Sequence, residues 1–169
     1  MTTSHDNHVD RVNARRLAQE RNLFGRLQAA ALASRTQAKR LLRSAGNLSI
    51  TEWRVLWDLA EAGPLTVTEM ASIQRTDHAL ISRTIPVMID KGYVATTTGK
   101  RDRRTLLVAL TPAGQSVFEE TSVIMSQRRA ALSTTFSATD LDAFLGLIDR
   151  FEKFVEAPLS LDPPQEATG

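Results

Sequence analysis

The stretch from Leu65 to Thr111 restricts the possible folds of this chain more than any other. Within it Thr66 and Glu69 stand three residues apart, the spacing at which each side chain satisfies the other's backbone donor and starts a helix, here predicted over residues 67–74. Arg75-Thr76-Asp77 then reads as a turn, with Thr76 or Asp77 as the N-cap of a second helix that runs to Lys91 and is stopped by Gly92. Two runs rich in Thr, Val and Leu follow, at 93–98 and 105–110. They bracket the cationic loop Gly99-Lys100-Arg101-Asp102-Arg103-Arg104.

Helix, tight turn, helix and basic hairpin in that order describe a winged helix-turn-helix, in which the second helix enters a major groove and the hairpin reaches the flanking backbone. On that second helix Ile81, Ile85 and Met88 share one face and are expected inside, which turns Ala79, Ser82, Arg83 and Pro86 outward. Small and hydrogen-bonding residues with a single Arg suit a helix that must fit a groove about 12 Å wide. Arg83 has two readings, a bidentate contact to a guanine edge or a contact to phosphate or an acidic neighbour. Pro86 also has two: its missing N–H and its ring cost about 3 kcal/mol in a helix interior, and either the resulting kink tilts the outward half of the helix or packing tolerates it.

Charge is partitioned along the chain, although the total is only +2. Residues 11–43 hold nine Lys/Arg and one Glu, a net +8, and residues 75–104 hold seven Lys/Arg and three Asp, a net +4. Residues 105–169 carry four basic and nine acidic groups, a net −5. Phosphate backbone is the natural partner of the two basic blocks, the first of which is equally consistent with a solvated helix face. There is no cysteine, which excludes disulfides, thiolate metal sites and a thiol redox switch. A polar beginning and no apolar run near the ~18 residues of a membrane span lead to the expectation of a cytoplasmic protein without signal peptide or membrane association.

The flanks read as helices around this unit. Residues 1–14 are expected to form a disordered tail in which His5, Asp6 and His8 are polar residues rather than a metal site. One long helix is predicted over 15–44, with Leu17, Phe24, Leu27, Ala31, Ala38, Leu41 and Leu42 along one stripe and a left-handed cap at Gly46-Asn47. Ser49 and Glu52 form a capping box with Leu48 and Trp53 as staple, and Gly63-Pro64 ends that helix. Trp53 is a core anchor or, with Arg54, part of a ligand pocket. Thr111-Pro112 starts a helix predicted to end near Leu132, with Val117, Phe118, Ile124, Met125 and Leu132 inward. A last helix starts from Ser137 and Asp140 and carries Leu141, Phe144, Leu145, Ile148, Phe151 and Val155 as an apolar stripe that needs a partner. Residues 158–169 form a Pro-rich tail.

At the hairpin a family resemblance becomes specific. Asp102-Arg103-Arg104, then Leu110-Thr111 and Gly114, is similar to the wing signature of the MarR (multiple antibiotic resistance regulator) family. Leu80-Ile81-Ser82-Arg83 resembles that family's recognition helix and Trp53-Arg54-Val55-Leu56 its second helix. The likeness spans residues 15–155, and Pro86 departs from it. It implies a mainly α fold with a small β-hairpin wing, a winged helix-turn-helix lobe at 48–111, and dimerisation helices at 15–47 and 112–157 within a single domain over 15–157. It also implies a homodimeric repressor on a pseudo-palindromic duplex operator, with no cofactor and no catalysis. The expected DNA contacts are Arg75, Thr76, His78, Ala79, Ser82, Arg83, Lys100, Arg101, Asp102, Arg103 and Arg104, with Arg104 as the minor-groove arginine supported by Asp102. A phenolic or aromatic carboxylate effector is implied between the wing-bearing lobe and the dimerisation helices, lined by Arg26, Trp53 and Arg54. The alternative is an architectural DNA-binding protein of weak specificity without an effector, whose basic first helix widens the footprint. No phosphate-binding glycine loop, helical His pair or cysteine nucleophile points to an enzyme.

Overall fold

Three capping boxes set the frame of the molecule. In the computed structural model, which describes residues 3–98 and 106–159, Ser49, Thr66 and Ser137 each accept a hydrogen bond from the amide three residues on. The carboxylates of Glu52, Glu69 and Asp140 in turn accept from the cap amides. These caps open α3 (Ile50–Ala62), α4 (Val67–Ile73) and α7 (Ala138–Glu156). Asp77 opens α5 (His78–Asp90), its Oδ1 accepting from the Ala79 amide at 2.9 Å. The strands β1 (Val94–Thr98) and β2 (Leu106–Leu110) pair antiparallel with Val94 opposite Leu110, and Leu65 adds a bridge on the far side of Val108. α6 (Pro112–Ala130) follows, and a single 3₁₀ turn over Ala131–Thr134 leads to α7.

Ahead of this frame the chain differs from the expected disordered tail and single long helix. It is helical from the start of the described residues, as α1 (Thr3–Glu20) and α2 (Leu23–Ala45). After Asp10 α1 is built of Arg, Ala, Leu, Gln and Glu with one Val and one Asn, mostly strong helix formers, so propensity rather than an apolar stripe specifies this half of it. The break comes at Arg21-Asn22, where Asn22 turns out of the helix and its side chain accepts from the Gly25 amide at 3.2 Å. The expected stripe is buried only at its C-terminal end, at Ala38 and Leu42; Leu17 and Phe24 are exposed. At the end of α2 the left-handed residue is Asn47, with φ 50°, and not Gly46. Gly46 has a different reason to be glycine, since a Cβ there would stand 2.8 Å from Thr121 Oγ1.

The chain divides into two compact units, Met1–Met125 and Ser126–Gly169. The first has one core: Trp53, Val55, Leu56 and Leu59 from α3 meet Met70 and Ala71 of α4, and Ile81, Ile85 and Met88 of α5. Val94 and Val108 close it from the hairpin, with Leu42 from α2 and Met125 from α6. Each large side chain so removed from water contributes about 1.5–3 kcal/mol. In the second unit α7 buries none of its residues; Phe144, Leu145, Leu147, Phe154 and Val155 are all exposed, and so is Leu132, which had been expected inside. Among the described residues no helix is long and apolar enough to cross a membrane.

Candidate nucleic-acid interface

The turn between α4 and α5 is built from backbone hydrogen bonds that fold the chain back on α4: the amides of Arg75 and Thr76 donate to the carbonyls of Ser72 and Ala71. Arg75 takes the left-handed conformation, φ 47°, that such a reversal requires. A non-glycine residue there stores roughly 1 kcal/mol of strain, and the surroundings hold it in place. Arg54 Nη2 donates to the Gln74 carbonyl at 2.6 Å, and Gln74 Nε2 donates to Asp58 Oδ2 at 2.7 Å. One turn of α3 therefore grips the residue at which α4 ends. Burial pushes the Asp58 carboxyl above its ordinary range, and the Gln74 amide and the Arg54 charge only partly offset this.

The far end of α5 is held by the same helix. Lys91, which caps α5, pairs through Nζ with Glu52 Oε1 at 2.5 Å. Burial alone would raise the Glu52 carboxyl, but hydrogen bonds from Lys91 and Ser49 and the Lys91 charge outweigh it and hold the group below its usual range. So α3 holds the end of α4, just before the turn into α5, through Arg54 and Gln74, and the exit of α5 through Glu52 and Lys91. None of these four was singled out for this role by sequence. Arg54 and Asp58 stand at i,i+4 on a predicted helix, a visible ion-pair spacing, whereas nothing local marks Gln74 as their bridge.

With the turn before it and its C-terminal end held by α3, α5 presents a defined outward face. Ile81, Ile85 and Met88 are buried, as their spacing predicts. His78, Ser82, Arg83 and Pro86 are exposed and Ala79 is half-buried; residues 79, 82, 83 and 86 lie on one face by helical spacing. Arg75 is exposed and Thr76 half-buried at the turn. The structure thus brings the six expected contact residues of the turn and α5 into one continuous segment. The other five, Lys100, Arg101, Asp102, Arg103 and Arg104, lie outside the described residues.

The base of the wing explains the remainder of the signature. Thr111 Oγ1 donates to the Gly92 carbonyl at 2.6 Å and accepts from the Gly114 amide at 3.0 Å, and the Thr111 amide donates to the Tyr93 carbonyl. Gly114 lies so close to Tyr93 that a Cβ there would fall 1.9 Å from its carbonyl oxygen. Thr and Gly at this spacing are what allow the end of β2 and the start of α6 to close on the end of α5.

The three residues expected around an effector are placed differently from one another. Trp53 is buried, stacked on Phe118 with ring centroids 5.5 Å apart, and is a core residue. Arg26 is exposed near the start of α2. Arg54 lines a surface hollow of about 470 Å³ between α2, the N-terminus of α3 and the helix-turn-helix. Arg35 and Lys39 of α2 join Arg54 in the wall, Leu32, Ile50 and Leu80 supply apolar surface, and Thr76 at the entry to α5 forms part of the rim. Among the described residues no acidic one lines it, and the first residues of α3 present the positive end of a helix. Thr76 is thereby shared between the hollow and the expected DNA face.

Comparison with known proteins agrees with this geometry. The MarR family model matches residues 48–106. The HTH-type transcriptional regulator YwoH of Bacillus subtilis is 32% identical over 101 residues, 60% of this chain and 73% of that one. Two solved structures share the fold. A MarR/EmrR family regulator from Acinetobacter sp. ADP1 aligns with TM-score 0.72 and 23% identity over 81% of this chain and 96% of its own. BpsR of Bordetella bronchiseptica aligns with TM-score 0.69 and 19% identity over 78% and 94%. With the helix-turn-helix, the hairpin and the Thr111–Gly114 closure all in place, the chain belongs to the MarR family of winged helix-turn-helix transcriptional regulators: it is a sequence-specific DNA-binding protein and not an enzyme.

Proposed function

We propose that this regulator is a homodimeric repressor that binds a pseudo-palindromic operator through Arg75, Thr76, His78, Ala79, Ser82 and Arg83, with the wing residues Lys100 to Arg104 on the flanking duplex, and that a small organic anion releases it. The observation that carries the effector reading is the hollow bounded by Arg35, Lys39 and Arg54, because its rim includes Thr76 and Leu80 at the start of the reading helix. A phenolic or aromatic carboxylate matches three cations and an apolar floor of this volume. The solved relative BpsR is described as regulated in its DNA binding by 6-hydroxynicotinic acid, a ligand of this class. On this reading Arg35 and Lys39, rather than Arg26 and Trp53, stand beside Arg54 in the effector site. The homodimer rests on the apolar face of α7, since soluble proteins seldom leave so much contiguous apolar surface in water.

Titration of the protein against its own promoter region and against a random duplex tests the first part: a regulator has a specificity ratio of at least about 10³. A ratio near one would favour the architectural reading. Adding 6-hydroxynicotinate or salicylate to the promoter complex tests the second. DNA release by wild type that is lost in Arg35→Gln with Lys39→Gln is the expected result, and release unchanged in that double variant would remove the hollow from the account.

A further inference from the structure

Pro86 lies in the ninth position of a thirteen-residue helix that continues past it to Asp90. A proline has no N–H, so the carbonyl of Ser82, four residues earlier, has lost the partner that every interior helix carbonyl otherwise has, and the ring displaces it from the helix axis. In a buried segment this would be a defect. Here Ser82 and Pro86 are both exposed, on the face that also carries Ala79 and Arg83, opposite the buried Ile81, Ile85 and Met88. Beside it Thr84 Oγ1 donates to the Leu80 carbonyl at 2.8 Å, a back-bond of the kind that bends helices. Lys91 at the C-cap ties the end of α5 to Glu52 of α3, and Arg54 of α3 holds the Gln74 carbonyl just before the turn into α5, so the helix is held on both sides of the carbonyl that lacks its i+4 donor.

We infer that Pro86 is a specificity-determining residue, and that it acts by releasing the Ser82 main-chain carbonyl to accept a hydrogen bond from the exocyclic amino group of a base in the major groove, cytosine N4 or adenine N6. This rests on α5 being the reading helix. A carbonyl only accepts, so it discriminates sharply between bases that present an amino group at that point and bases that present an oxygen. Ser, Ala and Arg side chains leave room for it: Ala79 is small, and the Ser82 side chain is too short to cover its own carbonyl. Replacing Pro86 by any residue with an N–H restores the helical partner and withdraws the acceptor.

The test begins with selection of binding sites by the full-length wild-type chain from a duplex pool randomised over about two half-sites. Each base pair of the selected site is then varied for wild type, Pro86→Ala and Pro86→Leu, the last keeping apolar bulk where the ring was. The expected result is one position per half-site at which wild type prefers the amino-bearing base about five- to tenfold and both variants prefer it less than about twofold, with the other positions unchanged. Substituting pyrimidin-2-one for cytosine, or purine for adenine, at that position weakens wild type by the same factor and leaves the variants unaffected. Identical profiles for all three proteins would overturn the inference, as would a loss spread evenly over all positions, which means a tilted helix. So would a preference retained by Pro86→Leu, which means an apolar contact. If wild type selects no consensus at all, the reading of α5 itself fails, and that result is distinct from a consensus that Pro86→Ala leaves intact.

Discussion

Glu52 and Asp58 sit on the same helix, are both partly or wholly removed from water, and are perturbed in opposite directions. Glu52, held low by Lys91 and Ser49, contributes stability that is fully present above its unfolded value near 4.5 and is lost as pH falls through its lower folded value. Asp58, raised by burial, behaves the other way: its contribution is present below its unfolded value near 3.8 and is lost as pH rises through its higher folded value. Glu52→Gln therefore destabilises by about 2 kcal/mol at pH 7, the scale of a charge-assisted hydrogen bond, and the deficit shrinks below pH 4.5. Asp58→Asn keeps an acceptor for Gln74 Nε2 and loses the titration, so it gains on wild type between acid and neutral pH. Urea midpoints of the three proteins at pH 3.5 and 7 check both signs in one experiment. A gap for Glu52→Gln that widens on acidification would refute the ion-pair account.

Gly114 and Gly146 make the corresponding contrast at the level of elements. A Cβ at Gly114 meets the Tyr93 carbonyl at 1.9 Å, a backbone atom that cannot move without shifting the base of the hairpin, whereas a Cβ at Gly146 on α7 meets nothing within 4 Å. Gly114→Ala is expected to cost about 3 kcal/mol and Gly146→Ala to stabilise by about 0.5–1 kcal/mol, measured by denaturant unfolding. The same contrast separates what could be read in the sequence from what could not. Helix starts were legible where a cap and its reciprocal carboxylate stand three apart, as at Ser49-Glu52, Thr66-Glu69 and Ser137-Asp140. The start of α2 was not, because Asn22 has Gly25 at that position and caps without a returning side chain. The buried face of α5 was legible from the spacing of Ile81, Ile85 and Met88. The hollow was not, since Arg35, Lys39, Arg54 and Thr76 come from three separate segments with no common period. Trp53 and Arg54 illustrate the difference within one dipeptide: adjacent residues on a helix point about 100° apart, so one enters the core and the other reaches the turn.

At the scale of the whole molecule the question is how so small a reading surface holds a specific site. On the proposed reading, the six contact residues of the turn and α5 would give only modest affinity for a half-site, and a duplex offers its next major groove on the same face about 10 base pairs away. Joining two copies converts the second binding event into an intramolecular one and multiplies affinity by about 10²–10⁴ without a new contact. The apolar face of α7 is the surface available for that joining: Phe144 and Leu145 are both exposed, and neither contributes to the core of the helix-turn-helix unit. Phe144→Ser with Leu145→Ser is therefore expected to leave the unfolding of the Met1–Met125 unit nearly unchanged while sedimentation shows a monomer at micromolar concentration. Operator affinity should fall by about 10²–10⁴, and the footprint should contract from two half-sites to one. A monomeric variant that still protects both half-sites at wild-type affinity would mean that each chain reads its operator alone, and α7 would then need a different partner.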